Sequence, residues 1–266
     1  MSAATRATRA PEVAPLGRML WMETRAKLVS RLRNPAFTVL SLGLPVMFFL
    51  LFNSIFGRQA GAAPGSVARL ILVSYATYGV GNVMIYNFGI GLATDRGRKL
   101  DLLQRATPLP PFVATIAYVV FALVFALLSL VILGLVATIV GGVRLELTSW
   151  LDLAWRLMLG SFPFIAMGMA IGYGASPNAA PAFANMIYLP MLFLSGIFVP
   201  LNQLPTTIQH IGSVLPTYHY AELSWTVIGV NNESTVTALA WLAGWSFVLF
   251  ALTIRLYRLD QDKKFS

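Results

Sequence analysis

The longest stretch of this chain without a single charged residue runs from 157 to 221, and four more charge-free runs cover 34–57, 70–94, 106–143 and 234–254. Water is a poor solvent for such a surface. Of 266 residues 57% are hydrophobic and only 11% charged, whereas about a quarter of a soluble domain is charged. A helix needs about 20 apolar residues to cross a hydrocarbon core about 30 Å thick. The first two runs and the last therefore each hold one span. The run 106–143 starts in the loop Thr107-Pro-Leu-Pro-Pro111, ends at Gly141-Gly142, and holds one long span.

Within 157–221 two clusters of turn formers divide the chain, Gly172-Tyr-Gly-Ala-Ser-Pro-Asn-Ala-Ala-Pro181 and Pro200-Leu-Asn-Gln-Leu-Pro205. The expected fold is an all-α integral membrane protein with six transmembrane helices, near 36–57, 70–94, 112–140, 154–174, 181–199 and 234–256. Residues 1–35 form a tail and an amphipathic helix, 36–257 the membrane domain, and 258–266 a short tail.

Cytoplasmic loops carry the excess of Lys and Arg. With the N-terminus inside, the inner segments hold fifteen: Arg6, Arg9, Arg18, Arg25, Lys27, Arg31, Arg33, Arg96, Arg98, Lys99, Arg105, Arg255, Arg258, Lys263 and Lys264. The outer segments hold four: Arg58, Arg69, Arg144 and Arg156. That asymmetry puts both termini in the cytoplasm of a plasma membrane and makes the net charge of +9 a topology signal. Nucleic-acid binding is not expected, since the charges flank spans instead of forming a patch. No cleavable signal peptide is visible in the polar, basic start. The chain has no cysteine, hence no disulfide, thiolate nucleophile or cysteine metal site.

Residues 16–33 read as a helix stopped by Asn34-Pro35. Glu23, Lys27 and Arg31 share one face, and Trp21, Leu28 and Leu32 another. A headgroup-level helix and a helix docking a cytoplasmic partner both fit this pattern. In the loop after the second span, Leu100, Leu102 and Leu103 alternate with Arg98, Lys99, Asp101 and Arg105 before Pro108, Pro110 and Pro111 end the helix. Its apolar side chains have nothing in their own loop to bury them.

Three segments carry a family resemblance: Arg31-Leu-Arg-Asn-Pro-Ala-Phe37 leading to Gly43-Leu-Pro45; Asp95-Arg-Gly-Arg-Lys-Leu-Asp-Leu-Leu-Gln-Arg-Ala-Thr-Pro-Leu-Pro110; and Leu194-Ser-Gly-Ile-Phe-Val-Pro-Leu-Asn-Gln-Leu-Pro205 with Leu215-Pro-Thr-Tyr-His219. Together they resemble the type-2 ABC transporter permeases, six-span subunits of exporters for drugs, lipids and glycans. One departure is Asp95-Arg96-Gly97-Arg98, where the family often has a Glu-Arg-Glu core. The resemblance implies two permease copies, identical or sister chains, and two separate ATPase subunits that carry the ATP and magnesium. It implies that 16–33 is an interface helix and 98–105 a coupling helix, so that Glu23, Lys27, Arg31, Arg96, Arg98, Lys99, Leu100, Asp101, Leu102, Leu103 and Arg105 couple to the ATPase. None of the lysines 27, 99, 263 and 264 follows a glycine, so the chain has no phosphate-cradling Gly-Lys and is not expected to hydrolyse ATP.

The stretch 200–228, broken at Pro200, Pro205 and Pro216, reads as a re-entrant hairpin, which in the family closes the outer exit. Polar residues in spans are pathway candidates: Tyr75, Tyr78, Asn82 and Tyr86 in the second span, Asn185, Tyr188 and Ser195 in the fifth. Hydrogen bonding between packed helices explains the same residues. A metal at His219 and Glu222 lacks an evident third ligand. With short external segments, an amphipathic drug or lipid-like substrate is the favoured expectation and a cell-surface glycan the second. A secondary transporter or channel is the rival class, although no charged residue lies mid-membrane to relay ions.

Overall fold

The computed structural model describes residues 14–57, 65–100 and 109–265, and the described residues are helical and contain no strand. α1 (Leu16–Leu32) ends where Pro35 cannot continue it. Asn34 Oδ1 then accepts the Phe37 N–H at 3.3 Å, capping a new helical turn that opens with Pro35. The turn runs into α2 (Val39–Phe56). Its first five residues, Val39–Gly43, form a π-helical turn just before Pro45, whose missing N–H disturbs the ladder there.

α3 (Ser66–Gly97) is the central element, with 83% of its apolar stretch buried against 22% for α2. α4 (Pro111–Ile139) packs beside α1, α2 and α3. α5 (Leu147–Gly160) and α6 (Phe162–Gly174) meet at 42°. Pro163 in the first turn of α6 has no N–H to extend α5, so Phe164 and Ile165 donate to the Ser161 carbonyl and begin a new helix. α7 (Ala180–Leu194), α8 (Thr206–Gly212), α9 (Pro216–Trp225) and α10 (Thr235–Phe265) complete the order. α10 lies along α6, and α9 is inserted among α3, α5 and α10.

Among the described residues four helices, α2, α3, α4 and α10, are long and apolar enough to cross a membrane, or five if the bent pair α5–α6 makes one crossing. The fourth expected span, 154–174, is thus a bent pair beginning at Leu147, and the fifth, 181–199, is a helix of 15 residues. At 1.5 Å per residue that helix reaches about 22 Å, short of a full hydrocarbon core.

Candidate functional site

Three groupings of side chains stand out, and each involves α3. The first ties α1 to the end of α3. Lys27 pairs with Glu23 at 3.3 Å and lies 4.5 Å over the Tyr118 ring, and Arg31 pairs with Asp95 at 3.5 Å. Arg31 also donates to the Tyr118 hydroxyl at 3.1 Å, and that hydroxyl donates to the Asn87 carbonyl at 2.9 Å. Asn87 opens a second π-helical turn, Asn87–Gly91, so the Tyr118 hydroxyl meets the helix where its ladder changes. The face of α1 holding Glu23, Lys27 and Arg31 is therefore engaged within the chain, while Trp21, Met22 and Leu32 are exposed.

One residue beyond Asp95, Arg96 turns the other way. It donates to the Gly172 carbonyl at the end of α6 and pairs with Asp260 of α10, and its guanidinium lies 5.6 Å over the Tyr173 ring. Asp95 and Arg96 thus bind the end of α3 to α1 on one side and to α6 and α10 on the other. The chain emerges exposed at Arg98, Lys99 and Leu100, with Lys99 in the left-handed region at φ 57°. Asp101, Leu102, Leu103 and Arg105, the rest of the expected coupling helix, lie outside the described residues.

The second grouping joins α3 to α7. Tyr86 donates to Asn185 Oδ1 at 2.5 Å, and Tyr188 donates to the Tyr78 carbonyl at 3.2 Å with their rings 6.2 Å apart and stacked. A β-carbon at Gly81 would stand 3.1 Å from Tyr188 Cζ and nearer still to its hydroxyl, so glycine lets the ring seat on α3. Tyr75, Tyr78, Asn82 and Ser195 are buried, Tyr75 and Tyr78 beneath Phe48 and Phe198. The two polar stripes therefore face each other inside one chain. The opposite side of α7 exposes Phe183, Met186 and Phe193.

The third grouping lies in the Pro-broken segment. Pro200 precedes a short 3-10 turn, Pro205 precedes α8, and Pro216 starts α9. Buried Glu222 of α9 accepts from Asn232 N and Nδ2 at 2.5 and 2.9 Å and from Glu233 N at 3.2 Å, folding the α9–α10 connection over itself. His219 Nδ1 meets Glu233 Oε1 at 2.9 Å, and its ring stacks on Trp241 with centroids 4.8 Å apart. His219 and Glu222 thus take separate partners, and among the described residues no three ligating side chains converge on a metal position. Thr77 donates to Ser224 Oγ at 2.7 Å and Trp225 donates to Ser74 Oγ at 2.9 Å, holding α9 against α3. These four residues carry no local signal in the sequence, since three hydroxyls and an indole within apolar runs mark a contact only once the partner helix is in place.

Apolar helices enclosing buried polar contacts define a membrane protein of helical-bundle type. Residues 19–228 match the family of ABC-2 type transporters, and the chain belongs to that family. It is 25% identical over 244 residues to the transport permease YvfS of Bacillus subtilis (strain 168), covering 92% of this chain and 98% of that one. It is also 25% identical over 274 residues to the daunorubicin resistance ABC transporter permease protein DrrB1 of Streptomyces coeruleorubidus, covering 97% and 91%. A shorter match, 32% over 95 residues, joins about a third of the chain to nodulation protein J of Rhizobium leguminosarum bv. viciae. The chain is a membrane permease subunit of an ABC exporter and associates with ABC ATPase subunits.

Proposed function

We propose that two copies of this chain form the pathway of an exporter for an amphipathic, drug-like molecule, with ATP and magnesium held on two partner ATPases. The observation that carries the reading is the two-sidedness of α7. Ala180, Ala184, Tyr188 and Leu192 are buried against the rest of the chain, while Phe183 and Met186 present an exposed apolar face beside Phe193, which is half exposed and packs edge-on against Phe198 at 5.1 Å. Such a face suits a second copy and an apolar ligand passing between the two. The resistance to daunorubicin in the name of DrrB1 favours the same substrate class.

In this reading α2, α3, α4, the bent α5–α6 pair, α7 and α10 make six crossings of a plasma membrane, with both chain ends in the cytoplasm of a bacterial cell. A 15-residue α7 crosses with help from the Pro-broken segment, where α8 and α9 form the outer hairpin. α1 rests at the inner surface with Trp21 and Met22 toward headgroups, and the loop from Arg98 onward seats in the ATPase. The clasp of Asp95 and Arg96 carries the movement of that loop to α1, α6 and α10.

The test is purification of the permease with its ATPase and measurement of ATP hydrolysis across anthracyclines, lipids and glycans. Stimulation by anthracyclines with matching uptake into inside-out vesicles is expected. Stimulation by glycans alone would overturn the substrate class.

A further inference from the structure

At the opposite end of α3 from Arg96, about 40 Å away at 1.5 Å per residue, the ends of α2, α3 and α4 line an open cleft of about 780 Å³, with Arg69 and Arg144 exposed at its edge. Its described lining includes Asn53, Arg69, Gly141, Gly142 and Arg144, and no Asp or Glu. Two cations therefore share one space with no acid among its described lining residues. Among the described residues neither arginine joins an ion pair with a carboxylate, unlike Arg31, Arg96 and Arg156, which all do.

The local backbone delivers both arginines. α4 ends in a turn in which Gly142 takes φ 66° and Val143 N donates back to the Ala137 carbonyl at 3.0 Å, which turns Arg144 toward the cleft. A β-carbon at Gly141 would stand 2.8 Å from Phe49 Cζ, and Asn53 Nδ2 donates to the Gly141 carbonyl at 3.3 Å, fixing this turn on the end of α2. Gly65, at φ 78°, lets the chain enter α3 with Arg69 one turn inside, its N–H on the Gly65 carbonyl at 3.0 Å. Both positions are ones that L side chains adopt with strain.

The charge-free runs 70–94 and 106–143 begin and end directly at Arg69 and Arg144. The arginines thus mark the edge of the hydrocarbon, the depth at which lipid phosphates lie, and guanidinium groups bind phosphate oxygens in a bidentate fork. We infer that this cleft binds the phosphodiester headgroup of an anionic glycerophospholipid, held between Arg69 and Arg144. The inference rests on the proposed membrane placement of α2, α3 and α4, and on neither the exported substrate nor the ATPase.

The permease is purified with its ATPase in neutral detergent, and retained lipid is counted by native mass spectrometry during titration with phosphatidylglycerol or phosphatidylcholine. Soluble glycerol 1-phosphate serves as a third arm. Tight retention of phosphatidylglycerol over phosphatidylcholine is expected, weakening about fivefold for each of Arg69→Gln and Arg144→Gln. Gly142→Val keeps every charge and its β-carbon would meet no atom within 4 Å, yet it forces the backbone out of its left-handed turn. It should weaken phosphatidylglycerol about as much as Arg144→Gln does. Equal retention of both lipids, or retention unchanged in the arginine double variant, would overturn the site. Arginine-dependent binding of glycerol 1-phosphate without lipid would overturn the lipid as its source. ATP hydrolysis measured on the same samples separates these outcomes from a failure of the export reading.

Discussion

α3 and α7 both carry polar side chains at helical spacing, yet α3 is enclosed nearly all round while α7 is buried along one stripe, Ala180, Ala184, Tyr188 and Leu192. The polar groups of each helix point at the other, as in Tyr86 to Asn185 and Tyr188 to the Tyr78 carbonyl. In hydrocarbon a hydroxyl gains from a partner on another helix whether or not a substrate passes nearby. The difference teaches that polarity within a span locates the joints of this molecule, while the far side of α7, with Phe183 and Met186, is apolar and exposed.

If α3 is the fixed axis, the largest effect should come from its anchor. Asp260→Ala leaves the Arg96 guanidinium largely buried without its carboxylate, and a loss of about 3 kcal/mol is expected from thermal unfolding of the purified permease. Exchanging the two residues should recover part of it, since the Gly172 carbonyl would still lack its donor. Next comes the seat of Tyr188: Gly81→Ala pushes a methyl into its hydroxyl end and should cost about 2 kcal/mol. Adding Tyr188→Phe should restore most of that, a coupling that a double-mutant cycle reads directly. Tyr118→Phe removes the hydroxyl between Arg31 and the π-helical turn and should cost about 1 kcal/mol. On α7, by contrast, Met186→Ala should stay within about 0.5 kcal/mol in the isolated chain, since Met186 is 66% exposed and surface changes usually cost no more. A loss comparable to that of Asp260→Ala would break the contrast between the helices.

Much of this was legible in the residues. The charge-free gaps locate α2, α3, α4 and the start of α10 closely, because hydrocarbon excludes unpaired charge over the full length of a crossing. Charge marks the end of α3 less well: the helix runs on through Asp95 and Arg96 to Gly97, since both charges find partners inside the bundle. Arg96 and Asp260 are separated by 164 residues, and no local pattern links them. The bend before α6 had a visible cause in Pro163, but its angle depends on what the two halves pack against. For the candidate pathway, the stripes were read as residues and their direction was not. Spacing puts Tyr78 and Tyr86, or Asn185 and Tyr188, on a common face, while only the packed bundle says which way that face looks.

The chain contains no cysteine, so single cysteines can be placed without background. The most direct test is the rate at which a water-soluble maleimide alkylates Met186→Cys and Asn82→Cys in the assembled transporter, with and without an anthracycline. The account requires rapid labelling at 186, slowed by the drug, and little at 82, where the side chain is 1% exposed. Rapid, drug-protected labelling at 82 with none at 186 would put the pathway along the polar stripe of α3 and contradict it.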